Sequence, residues 1–140
     1  MNVVVLSETK PEENRVALTP SSVRELAKIG CDITVVSGAG IGSHIADEEY
    51  KEEGADITVD QDTALQKAKV VLKVQAPTTE EVQALPKGVV LISLLSPTTE
   101  TGLIKKLGEA GITSFALELI PRITRAQSMD VLSSQATVAG

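Results

Sequence analysis

Residues 120–135, Ile-Pro-Arg-Ile-Thr-Arg-Ala-Gln-Ser-Met-Asp-Val-Leu-Ser-Ser-Gln, concentrate polar chemistry in one short stretch of this 140-residue chain. Arg122 and Arg125 can each present a fixed fork of N–H donors to a phosphate or carboxylate. A glutamine and an aspartate together can hold a carboxamide, one donating and one accepting. If residues 126 onward are helical, Gln127, Asp130 and Ser134 share one face. The segment therefore suits a ligand with an anionic part and a carboxamide; the alternative is a charged loop running into a surface helix. Two further cations form a possible secondary site. Arg15 lies in Glu-Asn-Arg-Val-Ala-Leu-Thr-Pro (13–20), and Lys73 lies in Val-Leu-Lys-Val-Gln-Ala-Pro (71–77) at the end of an apolar run. A lysine in such a run is costly to bury unpaired. It must either emerge at a strand tip toward a site or pair with a carboxylate.

The stretch Ser-Gly-Ala-Gly-Ile-Gly-Ser-His (37–44) follows the apolar Ile33-Thr34-Val35-Val36 and opens like a dinucleotide-binding turn. That fingerprint also needs a long helix starting at once, with its N-terminus aimed at the phosphates, and an acidic residue about 20 positions on. Asp56 or Asp60 could supply the acid, and Ser43 could pass for the third glycine. The helix fails: residues 47–53 are short, offer little apolar face and place five acidic side chains beside the supposed anion site. We read the stretch as a tight turn that lets the backbone approach a neighbour. His44 has no Cys, Asp or second His at ligand spacing, so no metal site is expected.

These residues need elements to position them. Apolar runs at 2–6, 32–36, 70–74, 89–95 and 113–117 read as five strands, with a brief extended piece at 56–59. Helical patterns fall at 20–29, 47–53, 60–67, 78–85 and 98–109, and the tail 125–139 looks helical. Thr19 before Pro20 is an N-cap signature, and Thr78-x-x-Glu81 is a capping box. The alternation predicts an α/β, flavodoxin-like open parallel sheet of about five strands, order 2-1-3-4-5, with helices on both faces. Ligands of open α/β sheets sit at the carboxyl ends of the strands, where Arg15, Lys73 and residues 121–130 would all lie. One Tyr, one Phe and no Trp leave the core to aliphatic side chains. The net charge of −6 excludes nucleic acid as a partner. The lone Cys31 cannot form an internal disulfide, which fits a reducing compartment. No apolar stretch has the length of a membrane span, and residues 1–6 lack the charged start of a signal peptide. Residues 1–140 form one domain, and the end at Gly140, inside a helix-like segment, reads as a cut.

Several stretches together carry a resemblance: 13–20, Ser-Gly-Ala-Gly (37–40), Gly-Ala (54–55), Leu-Lys-Val-x-Ala-Pro (72–77) and, above all, Pro-Arg-Ile-Thr-Arg-Ala-Gln-Ser-Met-Asp-x-Leu-Ser-Ser-Gln-Ala (121–136). The chain resembles the NAD(H)-binding domain I of the alpha subunit of proton-translocating NAD(P)+ transhydrogenase. The earlier motifs are shared with its relative alanine dehydrogenase. The resemblance implies that residues 1–140 are the N-terminal lobe of domain I and that the NAD-binding Rossmann lobe that would follow is absent from this chain. It implies that Arg122, Gln127 and Asp130, with Ser133 nearby, orient the nicotinamide end of NAD(H). Ile123, Thr124, Arg125, Ser128 and Met129 complete that loop as cofactor-binding residues. It implies hydride transfer from NADH to NADP+ held on a separate domain III, coupled to proton movement through a membrane domain. It implies a homodimer in the intact protein, on the cytoplasmic side and peripheral to the inner or plasma membrane through its partner subunits. The piece by itself is expected to be inactive.

An alanine or amino-acid dehydrogenase fragment is the nearest rival. That chemistry needs an acid/base histidine near the end of the fourth strand. Ser96 stands there, and His44 is the only histidine in the chain. Arg15 and Lys73 match the pyruvate-binding cations of alanine dehydrogenase but persist in transhydrogenases, so they do not discriminate. A non-catalytic binding or assembly domain is the remaining alternative.

Overall fold

The computed structural model describes residues 1–95 and 101–117. Within them lie six strands: β1 (Asn2–Val5), β2 (Asp32–Val36), β3 (Asp56–Thr58), β4 (Val70–Leu72), β5 (Val90–Ser93) and β6 (Thr113–Ala116). Five helices connect them: α1 (Pro20–Lys28), α2 (Asp47–Glu52), α3 (Gln61–Lys67), α4 (Thr79–Ala84) and α5 (Thr101–Glu109). All the pairings are parallel, and the sheet order is β3-β2-β1-β4-β5-β6. The expected five-strand order is present. The extended piece after α2 adds a sixth, edge strand, because Val36 pairs with Thr58 and extends the ladder outward.

Side-chain alternation on β1 explains why the sheet is covered on both sides. Val3 and Val5 point into a core with Val23 of α1 and Tyr50 of α2. Val4 and Leu6 point into the other, with Leu65 of α3, Val82 of α4 and Leu107 of α5. Both sequence-legible caps form. The Thr19 hydroxyl accepts from the Ser22 N–H at 3.3 Å, with Pro20 in the first turn. Thr78 and Glu81 make the reciprocal capping box that opens α4.

One expectation needs correcting. The segment 47–53 does have an apolar anchor. Tyr50 is fully buried, and its hydroxyl donates to the Leu18 carbonyl at 2.7 Å. Burial pushes its phenol up to about 12, with the Glu49 and Asp47 charges adding to the shift. It remains a neutral donor at any physiological pH. One large amphipathic ring gives this otherwise polar helix its hold on the sheet.

Candidate functional site

Parallel pairing of β1 with β4, Val5 beside Leu72, delivers the ends of these two central strands to one edge. Two side-chain clusters are built there. In the first, Lys73 is only 2% exposed. Its ammonium lies 3.4 Å from Glu8 Oε1 and 3.3 Å from Glu81 Oε2. Glu8, 3% exposed, also accepts the Val74 N–H at 3.0 Å and the Gln75 N–H at 2.9 Å. Of the two placements open to Lys73, the structure shows the paired one. Glu81 serves twice: Oε1 closes the capping box on the Thr78 N–H at 2.9 Å, and Oε2 meets Lys73.

The second cluster holds Arg15. Glu13 Oε1 accepts from the Arg15 Nε at 2.7 Å and the Arg15 backbone N–H at 3.0 Å. Its Oε2 accepts from Arg15 Nη2 at 2.8 Å and from Gln75 Nε2 at 2.6 Å. This is a bidentate fork, the strong form of an arginine–carboxylate pair. The Arg15 hydrogen bonds hold the Glu13 carboxyl down at about 2, from an ordinary 4.5, and Glu13 in turn raises Arg15. The Glu13 side chain is 7% exposed, whereas that of Arg15 is 39% exposed and keeps part of its surface at the edge. Gln75 joins the two clusters, its backbone on Glu8 and its side chain on Glu13.

Because folding lowers the Glu13 value, its stabilisation is complete above pH 4.5 and is lost as pH falls toward 2. Stability should therefore decline across that window. Glu13→Gln, lacking the titrating proton, should show a shallower decline in urea unfolding followed from pH 6 to pH 2.5. Identical slopes would remove this pair as a source of the acid dependence.

Beside these clusters lies a cleft of about 490 Å³, lined in part by Lys10, Gln75, Thr78, Thr79, Leu103 and Lys106. Lys106 Nζ is 3.4 Å from Thr79 Oγ1. Neither Lys10 nor Lys106 has a carboxylate within 4 Å among the described residues. Lys10 and Lys106 thus bring positive charge to the cleft.

At the glycine turn, donors are taken up within the chain. The Gly38 N–H donates to Asp47 Oδ1 at 3.0 Å, and the Ser37 hydroxyl donates to Asp47 Oδ2 at 2.6 Å. These two bonds depress the Asp47 carboxyl below its usual range. The chain's own carboxylate fills the place an external anion would take. The close approach expected of the turn is real: a Cβ on Gly40 would lie 2.8 Å from the Ile45 carbonyl, and one on Gly42 would lie 2.9 Å from the Asn14 backbone. His44 is left-handed (φ 59°) and closes the turn. Among the described residues no group of three or more His, Cys, Asp or Glu could hold a metal, and no helix is long and apolar enough to cross a membrane.

Arg122, Ile123, Thr124, Arg125, Gln127, Ser128, Met129, Asp130 and Ser133 lie outside the described residues, as does Ser96. Glu8, Glu13, Gln75 and Glu81 do not stand out in the sequence as members of these clusters. The signal for Glu13 was there, a carboxylate two residues before an arginine. For Glu8 and Lys73, 65 residues apart, only the strand order brings the pair together.

An open, doubly wound parallel sheet with charged side chains at its carboxyl edge defines an α/β domain of the class that takes its ligands at that edge. Residues 4–139 match the family model described as Alanine dehydrogenase/PNT, N-terminal domain, and the chain belongs to that family. It is 41% identical over its whole length to an NAD(P) transhydrogenase subunit alpha polypeptide of Rhodospirillum rubrum. It is 36% identical over its whole length to the alanine dehydrogenase of Halomonas elongata. Its fold superposes on the transhydrogenase from Sinorhizobium meliloti with a TM-score of 0.94 and 43% identity, covering 99% of this chain and 41% of that one. The chain spans 38% of the Rhodospirillum relative and 37% of the Halomonas one. The resemblance drawn from the sequence motifs therefore holds.

Proposed function

We propose that this chain is the first lobe of the NAD(H)-binding portion of a transhydrogenase that passes hydride from NADH to NADP+, coupled to proton translocation. The observation that carries this reading is the match along the whole chain to a transhydrogenase alpha subunit, at higher identity than to the Halomonas alanine dehydrogenase. Ser96, at the place where amino-acid oxidation would need its histidine base, supports it over that chemistry. Residues 122–133 orient the nicotinamide, with Arg122, Gln127 and Asp130 its main partners; of the two cations of the secondary site, Arg15 keeps exposed surface for a ligand, whereas Lys73 is spent on Glu8 and Glu81. Transfer between two nicotinamides needs positioning more than acid/base help. The partners are domain III with its NADP(H), the membrane domain and a second copy of the alpha subunit, on the cytoplasmic face.

The turn at 37–44 does not fit a pyrophosphate, since Asp47 occupies its donors. The chain tested by itself should therefore bind NADH weakly and transfer no hydride. NMR titration of the purified chain with NADH, beside Gln127→Ala, tests the reading. Shifts clustered on residues 122–133 and weakened in the variant are expected. Shifts elsewhere, or NADH-dependent reduction of an NADP+ analogue by the chain alone, would overturn it.

A further inference from the structure

We propose that the glycine turn 37–44 is the element that positions Arg15: Gly42 and Ser43 fix the backbone of Asn14, and through it the Glu13–Arg15 pair at the carboxyl edge of the sheet. The functional value of this role rests on the reading of that edge as a ligand-binding one; the structural claim does not.

Several independent observations converge on the junction. The Gly42 α-carbon comes so close to Asn14 that an added Cβ would sit 2.9 Å from both its Cα and its carbonyl oxygen. The neighbouring Ser43 hydroxyl donates to that same carbonyl at 2.6 Å. Among the described residues, two non-glycine positions take a left-handed backbone: Glu12 (φ 66°) and His44 (φ 59°). One lies on each segment of this contact. Such conformations persist only where the surroundings over-determine them, and they gather at sites whose geometry matters.

The turn is itself braced from behind. Gly40 packs against Tyr50, where a Cβ would come within 2.9 Å of the ring. Ser37 and Gly38 are held by Asp47, on the same helix as Tyr50. Rigid contacts thus run from the buried Tyr50, through Gly40, to Gly42 and Ser43, and across to Asn14 between Glu13 and Arg15. A flexible loop would present the same arginine over many directions. A braced one holds the Glu13–Arg15 pair in one direction, so the exposed side of the guanidinium faces the edge in a fixed orientation. The glycines that imitate a phosphate-binding fingerprint do their work on a protein backbone instead.

Titration of the Glu13 carboxyl carbon by NMR in the purified chain is the test, because it reports whether Arg15 still grips its partner and needs no ligand. In Gly42→Ala the midpoint should rise from about 2 by ~1 pH unit or more, a tenfold loss in the coupling to Arg15. Ser43→Ala, which adds no bulk, should raise it by roughly half a unit with the fold intact. In an Arg15→Ala background, neither substitution should move the midpoint further. Gly108→Ala in α5, where an added methyl meets nothing within 4 Å, should leave it unchanged. A wild-type midpoint in folded Ser43→Ala and Gly42→Ala overturns the proposal. If Gly42→Ala fails to fold, Ser43→Ala decides. NADH titration of the same proteins separates the two ideas: no binding by any of them sinks the nicotinamide reading and leaves the Glu13 result standing.

Discussion

Lys73→Met is expected to lower the unfolding free energy by roughly 3–5 kcal/mol, the range for removing one partner of a buried ion pair. The lysine is 2% exposed and stands between Glu8 and Glu81, themselves largely buried. Methionine fills much of the same space, so the loss is electrostatic rather than a cavity. It leaves Glu8 with two backbone donors, Val74 and Gln75, and without its ion-pair partner. The companion variant Lys73→Met/Glu8→Gln removes the stranded charge as well and should recover part of the loss. That non-additivity is the signature of a coupled pair. Urea unfolding at pH 7 measures both. A cost below about 1 kcal/mol for Lys73→Met would show that water reaches this cluster and screens it as it does a surface pair. The result bears on function because the same carboxylate that meets Lys73 also fixes the backbone of Gln75, whose amide holds Glu13.

Tyr50→Ala should cost roughly 3–5 kcal/mol, the usual range for deleting a buried aromatic. It should also free the turn at 37–44, since Gly40 is packed against this ring. Tyr50→Phe isolates the hydroxyl. It leaves the Leu18 carbonyl without its donor and should cost roughly 1–3 kcal/mol. Thermal and urea unfolding rank the two. If alanine cost no more than phenylalanine, α2 would be held by its polar contacts alone and the ring would be passive. Amide exchange adds a local reading: residues 38–44 should lose protection in Tyr50→Ala well before β1 does.

Much of this protein was legible in the sequence because the signals are local. Thr19-Pro20 and Thr78-x-x-Glu81 specify helix starts through side chains bonded within a few residues of themselves. The short aliphatic runs, alternating with helical patterns, specify parallel strands buried on both faces. The long motif at 121–136 and its companions identify the family, and the match over residues 4–139 agrees. The helix after the glycine turn was legible as short and acidic, but neither its anchor on Tyr50 nor the Asp47 carboxylate on the turn's donors was.

What the sequence could not supply depends on pairs far apart in the chain. β3 has three residues and no periodicity, so only its pairing with β2 makes it a strand. Tyr50 reads as one ring in a run of charges until the packing of α2 shows it fully buried. Lys73 had two possible fates. The register of β1 beside β4 chose between them by placing Glu8 within reach, and the position of α4 added Glu81. Gly42 and Asn14 are separated by 28 residues, and their approach exists only because the two loops leave neighbouring strands at the same edge. Local propensity and pattern decide which elements form. The strand order and the approach of backbones across the edge decide which charges neutralise one another, and those are properties of the folded sheet alone.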